Sequence, residues 1–435
     1  MLRITSFLVA LVLFAGAAFA EPITIEFWHA MGGKNGENTV AVCDKFNASQ
    51  SDYKVVPVFK NDYTSAMTGA IAAFRAGTPP AIVQIFEVGT ATFMAAKGAY
   101  KPVYQLMAEN GEKFDPNVYI PAIRGYYSTS DGKMLSMPFN SSTAVVYYNK
   151  DAFKKAGLDP EKSPKTWEEL YADAKKLMAA GYKNGFTSSW ATWIQTEQFL
   201  AWHNVAYGTK ANGFGGLDSQ LLLNNPLLIR HFTDLYKWSK EKVFVYGGRE
   251  GKPDALFTSG EVPIYFQSIG SYANMKSASK FEVGVGNLPY YADVKTAPQN
   301  SIIGGASLWV MGKKSAAEYK GVAKFFTFLS RPEIQAFWHQ NTGYLPITKA
   351  AYELTKLQGF YKDRPGLELA ILQLNNKPTT DFSRGVRFGN LPQIRILEDE
   401  TWEAILDDKI SVKDGFDKIV KEGNALIRDF ERVNK

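Results

Sequence analysis

The chain has 435 residues, with 49 lysines and arginines against 43 aspartates and glutamates, a formal charge of +6 that is spread without any block of like charge. That near balance gives a polyanion such as nucleic acid no footing, although one buried arginine can still hold a small anion. Aromatic residues at 14% and charged residues at 21% describe a packed globular protein rather than a disordered one, and a single cysteine, Cys43, excludes an internal disulfide framework.

At the start, Arg3, the apolar run from Phe7 to Phe14 and the small-residue pattern Ala18-Phe19-Ala20 predict a secretory signal peptide cleaved after Ala20. The run falls short of the ~20 apolar residues that a spanning helix needs. Glu21, not cysteine, follows the cleavage point, so no lipid anchor is indicated. The mature chain is expected to work outside the cytoplasm as a monomer, and its length suggests two or three domains.

Beyond the signal, apolar strands alternate with amphipathic helices: strand from Ile23 to Trp28, helix from Glu37 to Phe46, strand from Lys54 to Phe59, helix from Ser65 to Arg75, strand from Ala81 to Phe86. This order predicts a parallel sheet covered by helices, with ligands at the carboxyl ends of the strands. Tyr63 and Glu87 fall at such strand-to-helix junctions. Thr166-Trp167-Glu168-Glu169 reads as a capping box that opens a helix ended by Gly181, and Ser330 to Glu333 repeats the box, with Pro332 in the first turn and a stop at Gly343. Phe416, Ile419, Val420, Ala425, Ile427 and Phe430 mark one broad face of a long C-terminal helix. Three stretches poor in charge, Pro138 to Val146, Asn300 to Leu308 and Gly343 to Thr348, read as crossings between domains.

Enzymatic signatures are sparse. No G-x-x-x-x-G-K-[ST], H-E-x-x-H or G-x-S-x-G occurs, and four scattered histidines (His29, His203, His231, His339) with one thiol make a Cys/His metal cluster improbable. A glycosidase's carboxylate pair is defined in space rather than in sequence, so a secreted glycosidase stays open as an alternative. Among the glycine pairs only Gly304-Gly305 lies in a strand-like apolar context, where glycine permits close backbone approach to a ligand and offers the Gly305 amide to an anion.

Several longer strings carry a resemblance. They include Ile25-Glu26-Phe27-Trp28-His29, Phe86-Glu87-Val88-Gly89-Thr90-Ala91-Thr92, Pro138-Phe139-Asn140-Ser141-Ser142-Thr143, Tyr147-Tyr148-Asn149-Lys150-Asp151, Ile302 to Val310, Thr342-Gly343-Tyr344-Leu345-Pro346-Ile347-Thr348 and Gly389-Asn390-Leu391-Pro392-Gln393-Ile394-Arg395. Through these the chain resembles the glycerol-3-phosphate-binding proteins of ABC uptake systems, within the maltose-binding-protein-like solute receptors. The resemblance implies an α/β, two-lobed periplasmic binding protein fold of type II with crossing strands as a hinge. It implies an N-terminal lobe of residues 21–141 plus 305–345 and a C-terminal lobe of residues 142–304 plus 346–435. It also implies a non-enzymatic receptor without cofactor or metal that passes sn-glycerol 3-phosphate, or a related glycerophosphodiester, to the permease and ATPase of an ABC importer. The contacts it implies are Tyr63, Glu87, Ser142, Trp190, Trp193, Ser268, Gly305, Tyr344 and Arg395, with Ser271 as the alternative to Ser268.

The set suits a phosphate ester. Arg395 would supply charge-assisted, bidentate bonds, hydroxyls and the Gly305 amide neutral donors, and Trp190 and Trp193 an apolar wall. Glu87 would accept from glycerol hydroxyls and sit away from the phosphate, because two anions in a desolvated cleft repel. Taken singly, each residue has a plainer role: Arg395 ion-paired or solvated, Glu87 a loop carboxylate, Gly305 a bulge, the tyrosines and tryptophans packing. Trp28, Trp202, Trp309 and Trp338 are expected in the core. A sugar or oligosaccharide receptor of the same fold remains the nearest alternative, since such receptors also use tryptophan platforms.

Overall fold

The computed structural model describes residues 21–435, so the predicted signal peptide lies outside the described residues. Strands β1 (Ile23–His29), β2 (Tyr53–Phe59) and β3 (Ile82–Phe86) are linked by the helices Gly33–Ala48 and Tyr63–Ala76. In β1 the alternate residues Ile25, Phe27 and His29 are buried, the period-two pattern of a strand with one face against the core. Asp62 caps the second helix by accepting the Ser65 N–H at 2.7 Å, and Gly77, at φ +83°, ends it in the left-handed conformation that a side chain resists.

The first sheet runs β2-β1-β3-β11-β4, with β4 at Tyr100–Lys101 and β11 at Gly304–Met311, and β5 (Met137–Ser142) also pairs with β11. β1 is parallel to β2 and β3, as the alternation predicts, but β11 is antiparallel to every strand it touches. Local alternation reports only contiguous βαβ units, and β11 enters from a remote part of the chain. The second sheet runs β10-β6-β9-β7-β8, built from β6 (Ala144–Asn149), β7 (Phe186–Ser188), β8 (Phe244–Val245), β9 (Ile264–Ser268) and β10 (Val283–Gly286).

Two of the expected crossings pass between these sheets. β5 becomes β6 across Thr143 alone, and Ile302-Ile303 leads from the second sheet's side into β11. Thr143 Oγ1 donates to the Ile302 carbonyl at 2.9 Å, tying the two crossings together. The third stretch does not cross where expected. Leu345 N–H donates to the Ser141 carbonyl at 2.9 Å, and the following helix, Lys349–Leu357, packs on the helix Pro332–Thr342 beside the first sheet. The chain reaches the second sheet only with the helix Pro365–Leu374, which packs on β10.

Of the two predicted boxes, Thr166 caps the helix Trp167–Ala179 through the Glu169 N–H at 3.1 Å, but the Glu169 carboxylate turns to the Lys165 N–H instead of closing the box. Ser330 does not cap at all. Its hydroxyl donates back to the Phe326 carbonyl, closing the preceding helix, and the reciprocal box forms at Ser315 and Glu318. The C-terminal helix Val412–Asn434 packs against the helix Leu391–Leu406 with Phe416, Ile419, Ile427 and Phe430 buried. Trp202, Trp309 and Trp338 are buried, while Trp28 is half-buried under the Lys60 ammonium, 3.5 Å from its ring.

Candidate functional site

The nine residues proposed from sequence line a single cavity of about 490 Å³, together with Phe86 and Ser271. Its walls come from both sides of the crossings. Tyr63 opens its helix, Glu87 follows the end of β3, Ser142 ends β5, Gly305 lies at the start of β11, and Tyr344 follows the Gly343 helix stop. Trp190, Trp193, Ser268, Ser271 and Arg395 face them from the part of the chain that carries the second sheet. Glu87, Ser142 and Ser268 all stand where a strand ends, the usual place for a ligand in α/β sheets.

On the first side, Tyr63 stacks on Phe86 with ring centroids 5.4 Å apart and 7° between planes, which fixes its hydroxyl, and Asn140 Nδ2 donates to that hydroxyl at 2.8 Å. Tyr344 stacks on Trp338. Burial pushes both tyrosines above their ordinary pKa, so they are neutral donors at physiological pH. Gly305 has φ +86°, and a Cβ there would lie 1.9 Å from the Asn140 carbonyl oxygen. A Cβ on Gly304 would lie 2.3 Å from the Trp193 ring. The pair therefore admits the protein's own atoms as well as opening onto the cavity.

On the second side, Trp190 adopts φ +44°, a conformation costing a bulky side chain of order 1–3 kcal/mol. Its N–H donates to the Glu250 carbonyl, and its carbonyl accepts from the N–H groups of Trp193 and Ile194. Trp193 follows in a π-helical turn, Thr192–Gln198, a geometry frequent at functional sites. Its indole Nε1–H is buried with no hydrogen-bond partner among the described residues, a deficit of roughly 1–3 kcal/mol that it shares with Trp167, Trp309 and Trp338. Ser268 Oγ accepts the Gly270 N–H at 3.1 Å and keeps its own hydrogen to donate; Ser271, on the same cavity wall, makes no side-chain hydrogen bond among the described residues. Both hydroxyls are therefore available to a ligand.

Arg395 corrects two expectations. It is not a lone guanidinium: Nε and Nη2 donate to the two oxygens of Glu197 at 2.7 and 2.9 Å, and Nη2 also donates to Glu87 at 2.9 Å. Glu87 accordingly sits against the cation instead of away from it, because a guanidinium 8% exposed requires counter-charge. Three of its five N–H groups are thereby used, and the two on Nη1 remain. The Nε/Nη2 edge that would grip a phosphate bidentately is occupied by Glu197, so the arginine can offer a ligand one nitrogen. Burial works against the Arg395 charge, but Glu197 and Glu87 outweigh it and hold the guanidinium protonated. Burial likewise raises the pKa of Glu87 and of Glu197 while Arg395 opposes that rise.

Glu197 was missed from sequence. The signal available was a polar run, Gln195-Thr196-Glu197-Gln198, between apolar neighbours, and all four are buried. The histidines play no part in the cavity. Burial lowers His29, His203 and His339 to about 4 and His231 well below its ordinary value, so all are neutral. Among the described residues no group of histidine, cysteine and carboxylate side chains is placed to hold a metal, and no helix is long and apolar enough to cross a membrane.

The family model for bacterial extracellular solute-binding protein matches residues 41–368. The sn-glycerol-3-phosphate-binding periplasmic protein UgpB of Yersinia pseudotuberculosis serotype I (strain IP32953) is 50% identical over 431 residues, covering 99% of this chain and 98% of the relative. UgpB of Escherichia coli O6:K15:H31 is 49% identical over 435 residues, covering 100% and 99%. Among solved structures, UgpB from Mycobacterium tuberculosis in complex with glycerophosphocholine superimposes with a TM-score of 0.79 at 24% identity, covering 94% of this chain and 99% of that one. The GacH receptor of Streptomyces glaucescens superimposes with a TM-score of 0.78 at 16% identity, covering 94% and 100%. These two likenesses carry the two-lobed fold.

Proposed function

The chain belongs to the bacterial extracellular solute-binding proteins, and on that footing we propose that it captures sn-glycerol 3-phosphate in the periplasm and delivers it to the permease and ATPase of an ABC importer. The observation that carries this reading is one cavity in which chain segments from both sides of the crossings converge with unspent donors: Nη1 of Arg395 and the hydroxyls of Ser142, Ser268 and Ser271. Phosphate oxygens would take the Arg395 and hydroxyl donors, the carbon chain would lie on Trp190 and Trp193, and Glu87 would keep an oxygen for the glycerol hydroxyls. Ligand touching both lobes favours the closed arrangement by its differential contacts, and this is the signal a permease would read.

We propose no covalent step on the ligand. The cavity lining holds one carboxylate, Glu87, and it is tied to Arg395, which leaves a glycosidase without its acid and its nucleophile. A singly charged glycerophosphodiester is the second reading, favoured by the charge count: two carboxylates already face the one guanidinium, so a phosphate monoanion is more easily accommodated than a dianion.

Calorimetric titration with sn-glycerol 3-phosphate, a glycerophosphodiester and maltose side by side tests the reading. Binding of a phosphate compound and none of maltose is expected; binding of maltose alone would reassign the chain to sugars. Arg395→Lys keeps a cation between the carboxylates but gives up the planar fork, and it should weaken phosphate binding by about 1.5–3 kcal/mol. An unchanged affinity would remove Arg395 from the ligand set.

A further inference from the structure

A second cluster of arginines lies away from the cavity, in an open groove of about 1280 Å³. Arg124 reaches it from the helix Pro121–Tyr126, beside the first sheet, and Arg384 and Arg387 from the segment that precedes the helix Leu391–Leu406. The two latter guanidinium carbons lie 4.4 and 4.2 Å from the centre of one ring, Phe214, which holds both cations at one spot. Among the described residues none of the three arginines is within ion-pairing distance of a carboxylate, and the one acid in the groove wall, Asp131, is paired with Lys133 at 2.9 Å.

The donors are also largely unspent. Arg124 donates from Nη1 to the Asn117 side-chain oxygen, Arg384 makes no hydrogen bond among the described residues, and Arg387 uses only Nη1, to the Tyr126 and Ser128 carbonyls at 3.0 and 2.9 Å. Burial lowers Arg387 to a pKa of about 10, the mark of a charge taken out of water without a counter-ion. Arg395, by contrast, has two carboxylates.

We propose that this groove is a second anion site, taking a phosphate group, free or on a small ester, between Arg124 on one side and Arg384 and Arg387 on the other. Planar guanidinium forks approaching from separate chain segments suit the several acceptors of a tetrahedral oxyanion, and Ser130 adds a hydroxyl to the wall, those of Ser128 and Thr129 being donated to the Arg124 carbonyl and the Asp131 carboxylate. The site is distinct from the ligand cavity, with which it shares no lining residue.

Titration calorimetry of the full mature chain with inorganic phosphate, and separately with sn-glycerol 3-phosphate, tests this. Wild type should bind phosphate, and both Arg124→Ala and Arg384→Ala should weaken that binding about tenfold or more, while Arg384→Lys recovers part of it. Neither alanine variant removes a hydrogen bond to the backbone, and circular dichroism should show both folded. With the ester, the variants should lose a weak second binding event and retain the first. Phosphate affinity equal in wild type and both alanine variants would place the ion in the cavity and overturn the proposal, as would a wild-type chain that takes up no phosphate.

Discussion

Arg395 and Arg387 lie on the same stretch of chain, the first buried and the second half-buried, yet they are handled in opposite ways. Arg395 is clasped by Glu197 and Glu87 and stays charged, with only Nη1 left over. Arg387 has carbonyls for partners and, among the described residues, no carboxylate, and its proton is held less tightly for it. Full compensation makes a guanidinium a fixed structural strut with a small residual capacity for ligand. Partial compensation leaves a standing attraction for any anion that can reach it.

Substitutions break this comparison in a definite order. Arg395→Ala should have the largest effect, on the order of 3–5 kcal/mol of unfolding free energy near neutral pH, because it strands two buried carboxylates. Burial already raises their folded pKa values, and without the cation they rise further, so the loss should grow as pH rises and shrink as pH falls toward the unfolded values. Urea unfolding at pH 5 and pH 8 measures this; equal losses at both would contradict the clasp as the cause.

Glu398, on the Arg395 helix, sharpens the contrast with a carboxyl that has no cation of its own. Burial pushes it up to about 8 from an ordinary 4.5; Tyr207 donates to one oxygen at 2.6 Å, and the other has no partner among the described residues. The folded chain then holds a proton that the unfolded chain has lost, so this contribution is complete below about 4.5 and disappears as pH rises through about 8. At about 1.4 kcal/mol per unit, Glu398→Gln should flatten the decline in stability across that window by a few kcal/mol. A wild-type profile that does not fall between those limits would refute the assignment. Arg387→Ala should cost least, about 1–2 kcal/mol for two backbone carbonyls left to water, since it strands no charge. A loss matching that of Arg395→Ala would erase the distinction between the two arginines.

Much of the first lobe was legible because its signals are local. The alternation of strand and helix from Ile23 to Phe86, and the period-two burial of β1 that goes with it, follow from neighbours along the chain. The antiparallel β11, the passage of the chain beyond the helix Lys349–Leu357 and the cap at Ser315 instead of Ser330 were not legible, because each is decided by partners distant in sequence or by competition between nearby hydroxyl roles. At the site, residue types carried the resemblance, so Tyr63, Ser142, Gly305 and Arg395 could be named; their counter-charges could not.

The sequence by itself determined which side chains are present for a phosphate ester: one arginine, a set of hydroxyls, two tryptophans and, at Gly305, a glycine that permits close backbone approach. The tertiary structure alone decided that Glu197 and Glu87 spend most of the arginine's donors and that three further arginines share a groove without counter-ions. Electrostatic energy depends on separation in space and on exclusion of water, and neither is written in the order of the residues.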